Sequence, residues 1–270
     1  MIPWLTPAHL NYRQSVHSKG IGEQKVVRQT GGVGRYAHVE LSVELLVGTL
    51  GIQFSENVTP HGTLPRKFLS YLELGVVSVS KTGLWGFPVS GVLVYIFDGS
   101  YHDVDSTAAV FEEVAAEAFK SAMLASHPVI LEPTVSCIVS VPEEYMPAVF
   151  AELNHRRFRI TTTRKMHFHE IEGTMPQSEA LGLLPNLAER TDGTAYCSMH
   201  PEGYEKLPES LTAVLHCITC LRDVRIPLVN SILITEKCLI CDTPFDSPDL
   251  DASVAVLKHS GRRGWTFLLA

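Results

Sequence analysis

The sequence predicts an α+β protein made of two α/β units, and three observations predict it. From Pro128 to Lys206 the pattern reads strand, helix, strand, strand, helix, strand, which is the split βαβ or ferredoxin-like order. From Leu10 to His127 alternating apolar segments are interleaved with two segments of helical period. Hydrophobic residues make up 45% of the 270-residue chain and charged residues 19%, enough apolar surface for two cores and too much for a disordered chain.

The first unit, residues 10–127, opens with strands around Lys25–Val27 and Ala37–Val43. Between them RQTGGVGRY, Arg28 to Tyr36, is dense in glycine and predicts a loop tip. Pro65 to Leu74 predicts a helix, with Pro at its first position and Phe68, Leu69 and Leu72 at helical spacing; Gly75 is expected to end it. Gly91 onward, GVLVYIFDGS, reads as a buried strand running into a turn at Gly99-Ser100. A long helix follows, with Asp105 as the expected cap and Ala109, Val110, Ala116, Phe119 and Met123 as its apolar stripe.

In the second unit, residues 128–206, the first strand is SCIVSVP from Ser136 and the first helix starts at Pro142. RITTT and KMHFHEIEGT read as strands. A helix from about Ser178 is weakened by Pro185, and TAYCSMH from Thr194 is the last strand. The third zone, residues 207–270, does not continue this order; PESLTAVLHC is expected to begin as a short helix.

Composition also excludes functions. A net charge of −7 is wrong for a wholly basic nucleic-acid binder, although phosphate contacts are made patch by patch. No apolar run approaches the length of a membrane-spanning helix, and the N-terminus lacks the basic start and apolar core of an export signal. The expected compartment is the cytoplasm, where free thiols or metal ligands are the usual state of the six cysteines.

Catalytic patterns fail on inspection. GVVSVSKTG, Gly75 to Gly83, has a Lys-Thr pair but no glycine before Lys81, and its valines would crowd a phosphate. G-x-S-x-G and H-E-x-x-H are both missing, and no small-molecule substrate is evident. His167 and His169 alternate along a predicted strand, where a solvated face is the plainer reading. The tail carries Cys217-x-x-Cys220 and, seventeen residues later, Cys238-x-x-Cys241. Two such thiolate pairs can close around one zinc ion, so Cys217, Cys220, Cys238 and Cys241 are the candidate ligands; no cofactor is expected in the two main units.

Four segments of the chain, in the order and spacing of one family, resemble that family. FDGSYHDVDS, Phe97 to Ser106, resembles the tip loop of the fourth domain of elongation factor G, the ribosomal translocation GTPase. RQTGGVGRYAHVEL resembles that domain's other tip, usually RQSGGRGQYGHV. The run from Leu64 to Ser106 resembles the stretch from first helix to second tip. HPVILEPTVSCIVSVPEEYMPAVFAELNHRRFRI resembles the start of the fifth domain, and YEKLP at Tyr204 resembles the family's YEEVP. The likeness covers about Leu10 to Leu211 and leaves the family's GTPase, second and third domains without counterpart. Departures are Val33 for the usual Arg, Arg35 for the usual Gln, and Asp192-Gly193-Thr194-Ala195 for the usual QGRG.

This resemblance implies a first unit with the fold of ribosomal protein S5 domain 2 and a ferredoxin-like second. It implies a ribosome-binding role in translation, with the tips meeting tRNA and mRNA in the decoding region and the fifth domain meeting ribosomal RNA; the full-length family is a GTPase, but the lack of a phosphate loop makes this chain an expected non-enzyme. Arg28, Gly31, Gly32, Arg35, Ser100, Tyr101 and His102 are the implied tip residues: glycines for close backbone approach, arginines for charge, Tyr101 and His102 for stacking and hydrogen bonds. Arg156, Arg157 and Arg159, in the basic run HRRFRITTTRK, are the implied second patch. Two other roles fit the same residues: a ribosome-protection relative that dislodges an antibiotic, or a zinc-stabilised interaction module acting off the ribosome.

Overall fold

The computed structural model describes residues 10–28, 34–55, 64–217, 222–229, 232–233, 240, 258–259 and 265–266. The chain divides into two compact units, one comprising residues 13–130 with 209–270 and the other residues 131–208 with 1–12.

In the first of these, β1 spans Arg13–Val16, β2 Gly20–Arg28, β3 Arg35–Leu45, β4 Ile52–Phe54 and β5 Val92–Ser100. The main sheet runs β2-β3-β5-β4, antiparallel except for the parallel β4–β5 pair. Helices α1, Leu69–Ser80, and α2, Ala108–Ala125, supply its cover. Period-two alternation puts Ala37, Val39, Leu41 and Val43 of β3 into the core with Val92, Val94 and Ile96 of β5. There they meet Phe111, Val114, Ala118, Phe119 and Ala122 of α2. The Phe111 ring sits 4.4 Å from that of Phe68, and truncating a fully buried Phe costs about 3–5 kcal/mol.

Two boundaries differ from expectation. Gly75 does not end α1; it lies within it, because α2 passes so close that a Cβ there would sit 2.2 Å from the Glu112 carbonyl oxygen. The glycine serves interhelical approach, not termination. The Gly75–Gly83 segment is thus the second half of a helix and its final turn, whereas a phosphate cradle must precede a helix. Asp105 does not cap α2 either: Thr107 holds the N-cap position, without a side-chain cap bond, and Asp105 is used at the tip described below.

The second unit contains β6, Pro128–Val141, whose first residues belong to the other unit, then α3, Met146–His155, β7, Arg159–Lys165, and β8, His169–Pro176. α4, Gln177–Ala180, α5, Leu183–Arg190, and β9, Tyr196–Lys206, complete it. Strand order β9-β6-β8-β7 is the ferredoxin-like arrangement, with every pair antiparallel. Val135, Cys137, Val139 and Val141 of β6 pack with Ile171 and Met175 of β8 against Val149, Leu153, Leu183 and Leu187 of the helices. The predicted last helix is split in two. Gly182, at φ +74°, restarts the chain so that Pro185 falls in the first turn of α5, where its missing N–H costs nothing. His167 lies in the β7–β8 turn and not beside His169 on one strand face.

In the tail, the expected helix is replaced. A 3₁₀ turn, Glu209–Leu211, leads into β10, Thr212–Cys217, paired antiparallel with β11, Arg222–Val229. Arg225 places its guanidinium 5.3 Å from the centre of the Trp85 ring. Cys217 ends β10, while Cys220, Cys238 and Cys241 lie outside the described residues. Among the described residues no helix is long and apolar enough to cross a membrane.

Candidate nucleic-acid interface

The paired tips of the first unit are built by strand register. β2 and β3 pair to their ends, with Arg28 opposite Arg35, and β3 pairs β5 with His38 opposite Ser100. Both predicted tips therefore leave the same end of one sheet. Gly31 and Gly32 lie in the segment 29–33, outside the described residues.

Tyr36 stitches the tips together. Its hydroxyl lies 2.9 Å from Ser100 Oγ, and its amide donates to the Asp105 carbonyl at 2.9 Å. The Ser106 hydroxyl donates to the Tyr36 carbonyl at 2.7 Å, and the His102 ring lies 6.3 Å from the tyrosine ring. Sequence reasoning passes over Tyr36; the available signal is a lone aromatic closing a glycine-rich loop.

His102 is the exposed member. Its Nδ1 accepts from the Asp105 amide at 3.3 Å, and its own amide donates to Ser106 Oγ at 2.9 Å. The same Nδ1 also lies 3.2 Å from Asp105 Oδ2, so the turn engages this side of the ring. Tyr101 departs from its expected part: it packs on the hydrophobic core, its ring 5.9 Å from Phe68, so it is not a free stacking platform. Gly99 and Ser100, expected to form a turn, are the last residues of β5, and Gly99 permits the close approach of β3, since a Cβ there would lie 2.7 Å from the His38 carbonyl oxygen.

Charge at this end is mixed. Arg28 is exposed, but Arg35 is ion-paired with Glu113 of α2. Lys25 Nζ stands 5.7 Å from the centre of the Tyr36 ring. Along the outward side, Glu23 faces Glu40 and Glu40 faces Asp98 in register. Carboxylates thus line the sheet face, and at the tip the exposed Arg28 and His102 stand with Asp105, whose Oδ2 lies 3.2 Å from His102 Nδ1.

In the other unit the three arginines are tied to its own acids. Arg156 Nε bonds Glu152 at 2.7 Å, and its NH1 donates to the Leu181 carbonyl at 2.8 Å. Arg157 grips the buried Glu132 bidentately, at 2.8 Å on both arms, and also reaches Glu179 at 3.1 Å. Burial opposes the charge on Arg157, but these carboxylates outweigh it and raise its pKa. Arg159, the most exposed of the three, pairs with Glu205. Glu152 is likewise held ionised: burial raises its pKa, and hydrogen bonds from Arg156 and Asn186 overcome that and lower it.

The comparisons with known proteins agree with this architecture. Residues 8–127 match the family model for elongation factor G, domain IV, and residues 129–215 match that for the elongation factor G C-terminus. The chain is 35% identical over 203 residues to elongation factor G of Thermotoga neapolitana, covering 74% of this chain and 29% of that protein. It is 36% identical over 206 residues to elongation factor G of Pseudothermotoga lettingae, covering 75% and 30%. A crystal structure of a Thermus thermophilus protein superposes with a TM-score of 0.61 at 30% identity, over 74% of this chain and 30% of that one. The chain thus spans about three-tenths of the length of the curated relatives it matches. With both family models matched in the order that the two units take, the chain belongs to the elongation factor G family, through that family's domain IV and C-terminal domain.

Proposed function

We propose that this chain is a ribosome-binding protein of translation that acts in the cytoplasm without making or breaking a bond. The tips of the first unit meet the tRNA–mRNA pair in the decoding region, and the second unit meets ribosomal RNA. The observation that carries this reading is the joined tip, in which Tyr36 fixes Ser100 and the turn bearing the exposed His102 into one surface. A rigid edge with an exposed imidazole and a neighbouring arginine, Arg28, suits phosphate and unpaired base edges. Gly31 and Gly32 keep their proposed part as points of close backbone approach, and Arg35 and Ser100 act from within the tip, one paired and one bonded.

The arginines divide on this reading. Arg156 and Arg157 hold their unit together, and Arg159 is the member offered to RNA, since its side chain is 64% exposed. Hydroxyl-radical footprinting of ribosomes tests the placement. Protection of decoding-region nucleotides, weakened by His102→Ala, is expected; protection elsewhere that is indifferent to His102 contradicts it.

A further inference from the structure

Two Asp-Gly pairs occur in the chain, Asp98-Gly99 and Asp192-Gly193. A glycine after aspartate has no side chain to shield its amide nitrogen, so in this dipeptide the nitrogen can reach the preceding carboxyl carbon. The fold treats the two pairs oppositely.

At the end of β5 the Gly99 amide donates to Asp98 Oδ1 at 2.7 Å. The amide nitrogen, the Asp98 backbone carbonyl carbon, Cα, Cβ and Cγ thereby lie in a nearly closed loop, and these are the ring atoms of a cyclic imide. The carboxyl carbon is one bond beyond the oxygen that the amide touches, so the folded chain holds the reacting atoms together. The ladder is broken beside this amide: the register passes from Glu40–Asp98 to Leu41–Ile96, which leaves Phe97 as the extra residue of a bulge. At Asp192-Gly193 the corresponding groups are engaged elsewhere. The Gly193 amide donates to the Ala188 carbonyl at 2.8 Å, and the Asp192 carboxylate accepts from the Tyr145 hydroxyl at 3.0 Å. Exposure runs the other way, since Asp192 and Gly193 are exposed while Asp98 is half-buried and Gly99 buried.

We propose that Asp98-Gly99 is a site of spontaneous covalent modification, at which Asp98 isomerises to isoaspartate through a cyclic imide. The Gly99 nitrogen bonds to Asp98 Cγ, the single C–O bond of the carboxyl group breaks, and the departing hydroxyl leaves as water with the amide proton. Water then opens the ring. Addition at Cγ restores aspartate, and addition at the Asp98 backbone carbonyl carbon leaves the chain running through Cβ and Cγ. No oxidant, reductant or co-reactant other than water takes part. The product inserts one extra backbone atom just before Gly99 and so displaces the neighbouring Ser100, whose hydroxyl bonds Tyr36. Isomerisation therefore unlinks the paired tips by a chemical step. The site is independent of any ribosome contact and is tested without ribosomes.

The test is incubation of the full chain for weeks at neutral pH and body temperature, in buffer and in guanidinium chloride. Peptide mapping with electron-transfer fragmentation then distinguishes isoaspartate from aspartate, and hydroxylamine added to a parallel sample traps the imide as a hydroxamate. Circular dichroism checks that the sample in buffer stays folded. In the folded chain isoaspartate is expected to accumulate several-fold faster at Asp98 than at Asp192, despite the greater exposure of Asp192. In guanidinium chloride the two rates should converge, because only the dipeptides remain. The proposal is overturned by the lack of isoaspartate and hydroxamate at Asp98, or by Asp192 isomerising as fast as Asp98 in the folded chain. The same ratio of rates in guanidinium chloride as in buffer also overturns it.

Discussion

The Tyr36 hydroxyl and Ser100 Oγ meet at 2.9 Å, joining residues 64 apart in sequence at the point where two loops leave one sheet. The contact depends on an irregularity: the β3–β5 register shifts between Glu40 and Leu41, which sets Ser100 opposite His38 and within reach of Tyr36.

That link is measurable by a double-mutant cycle. Tyr36→Phe and Ser100→Ala are each expected to lower stability by about 0.5–1.5 kcal/mol, the net value of one hydrogen bond. The double variant should lose less than the sum, and the coupling energy isolates the pair. Thermal and urea unfolding supply the values; strict additivity would mean that the bond does not join the tips.

Glu152 is the electrostatic clamp between α3 and α5. It accepts from Arg156 at 2.7 Å and Asn186 at 3.0 Å and pairs with Arg190 at 3.0 Å, at only 4% side-chain exposure. Its folded pKa lies below its ordinary value of 4.5. The folded state therefore binds this proton less readily than the unfolded state does. The stabilisation is complete above the unfolded pKa and is lost as pH falls through the folded one. Glu152→Gln should cost about 1–3 kcal/mol at neutral pH and flatten the fall in stability below about pH 4.5. Equal acid sensitivity in variant and wild type would refute the clamp.

The tail cysteines give a separate expectation. If Cys217, Cys220, Cys238 and Cys241 close on zinc, serine at Cys220 and Cys241 should remove about one equivalent of metal and leave the melting of the two main units unchanged. Metal content by mass spectrometry, paired with calorimetry, decides this.

How far the sequence can be read follows from the range of each interaction. The β-α-β-β-α-β order of the second unit is legible because alternation and helical period are local, and Val135–Val141 and Val149–Leu153 obey them. Gly75 misleads because a glycine at the end of an apolar stripe looks like a stop; its reason is Glu112, on another helix. Tyr101 looks like a tip residue because its loop is exposed, but its contact is Phe68, on a distant turn of the chain. The basic run His155–Lys165 looks like a phosphate patch, since nothing nearby in sequence shows that Glu132 and Glu179 engage Arg157. Short-range order is readable; pairings fixed by the completed sheets are not.

The central claim, that the joined tips bind the ribosome, is tested most directly by ribosome pelleting over a salt series from about 50 to 200 mM. Wild type, His102→Ala and Arg28→Ala are compared, both substitutions falling on exposed positions that bury little. The wild-type chain should pellet at low salt and release gradually, with a shallow logarithmic slope reflecting few phosphate contacts. Arg28→Ala should lower that slope by about one, and His102→Ala should weaken binding with the slope nearly unchanged. Wild-type protein that stays in the supernatant at the lowest salt, or both variants pelleting as wild type does, would contradict the account.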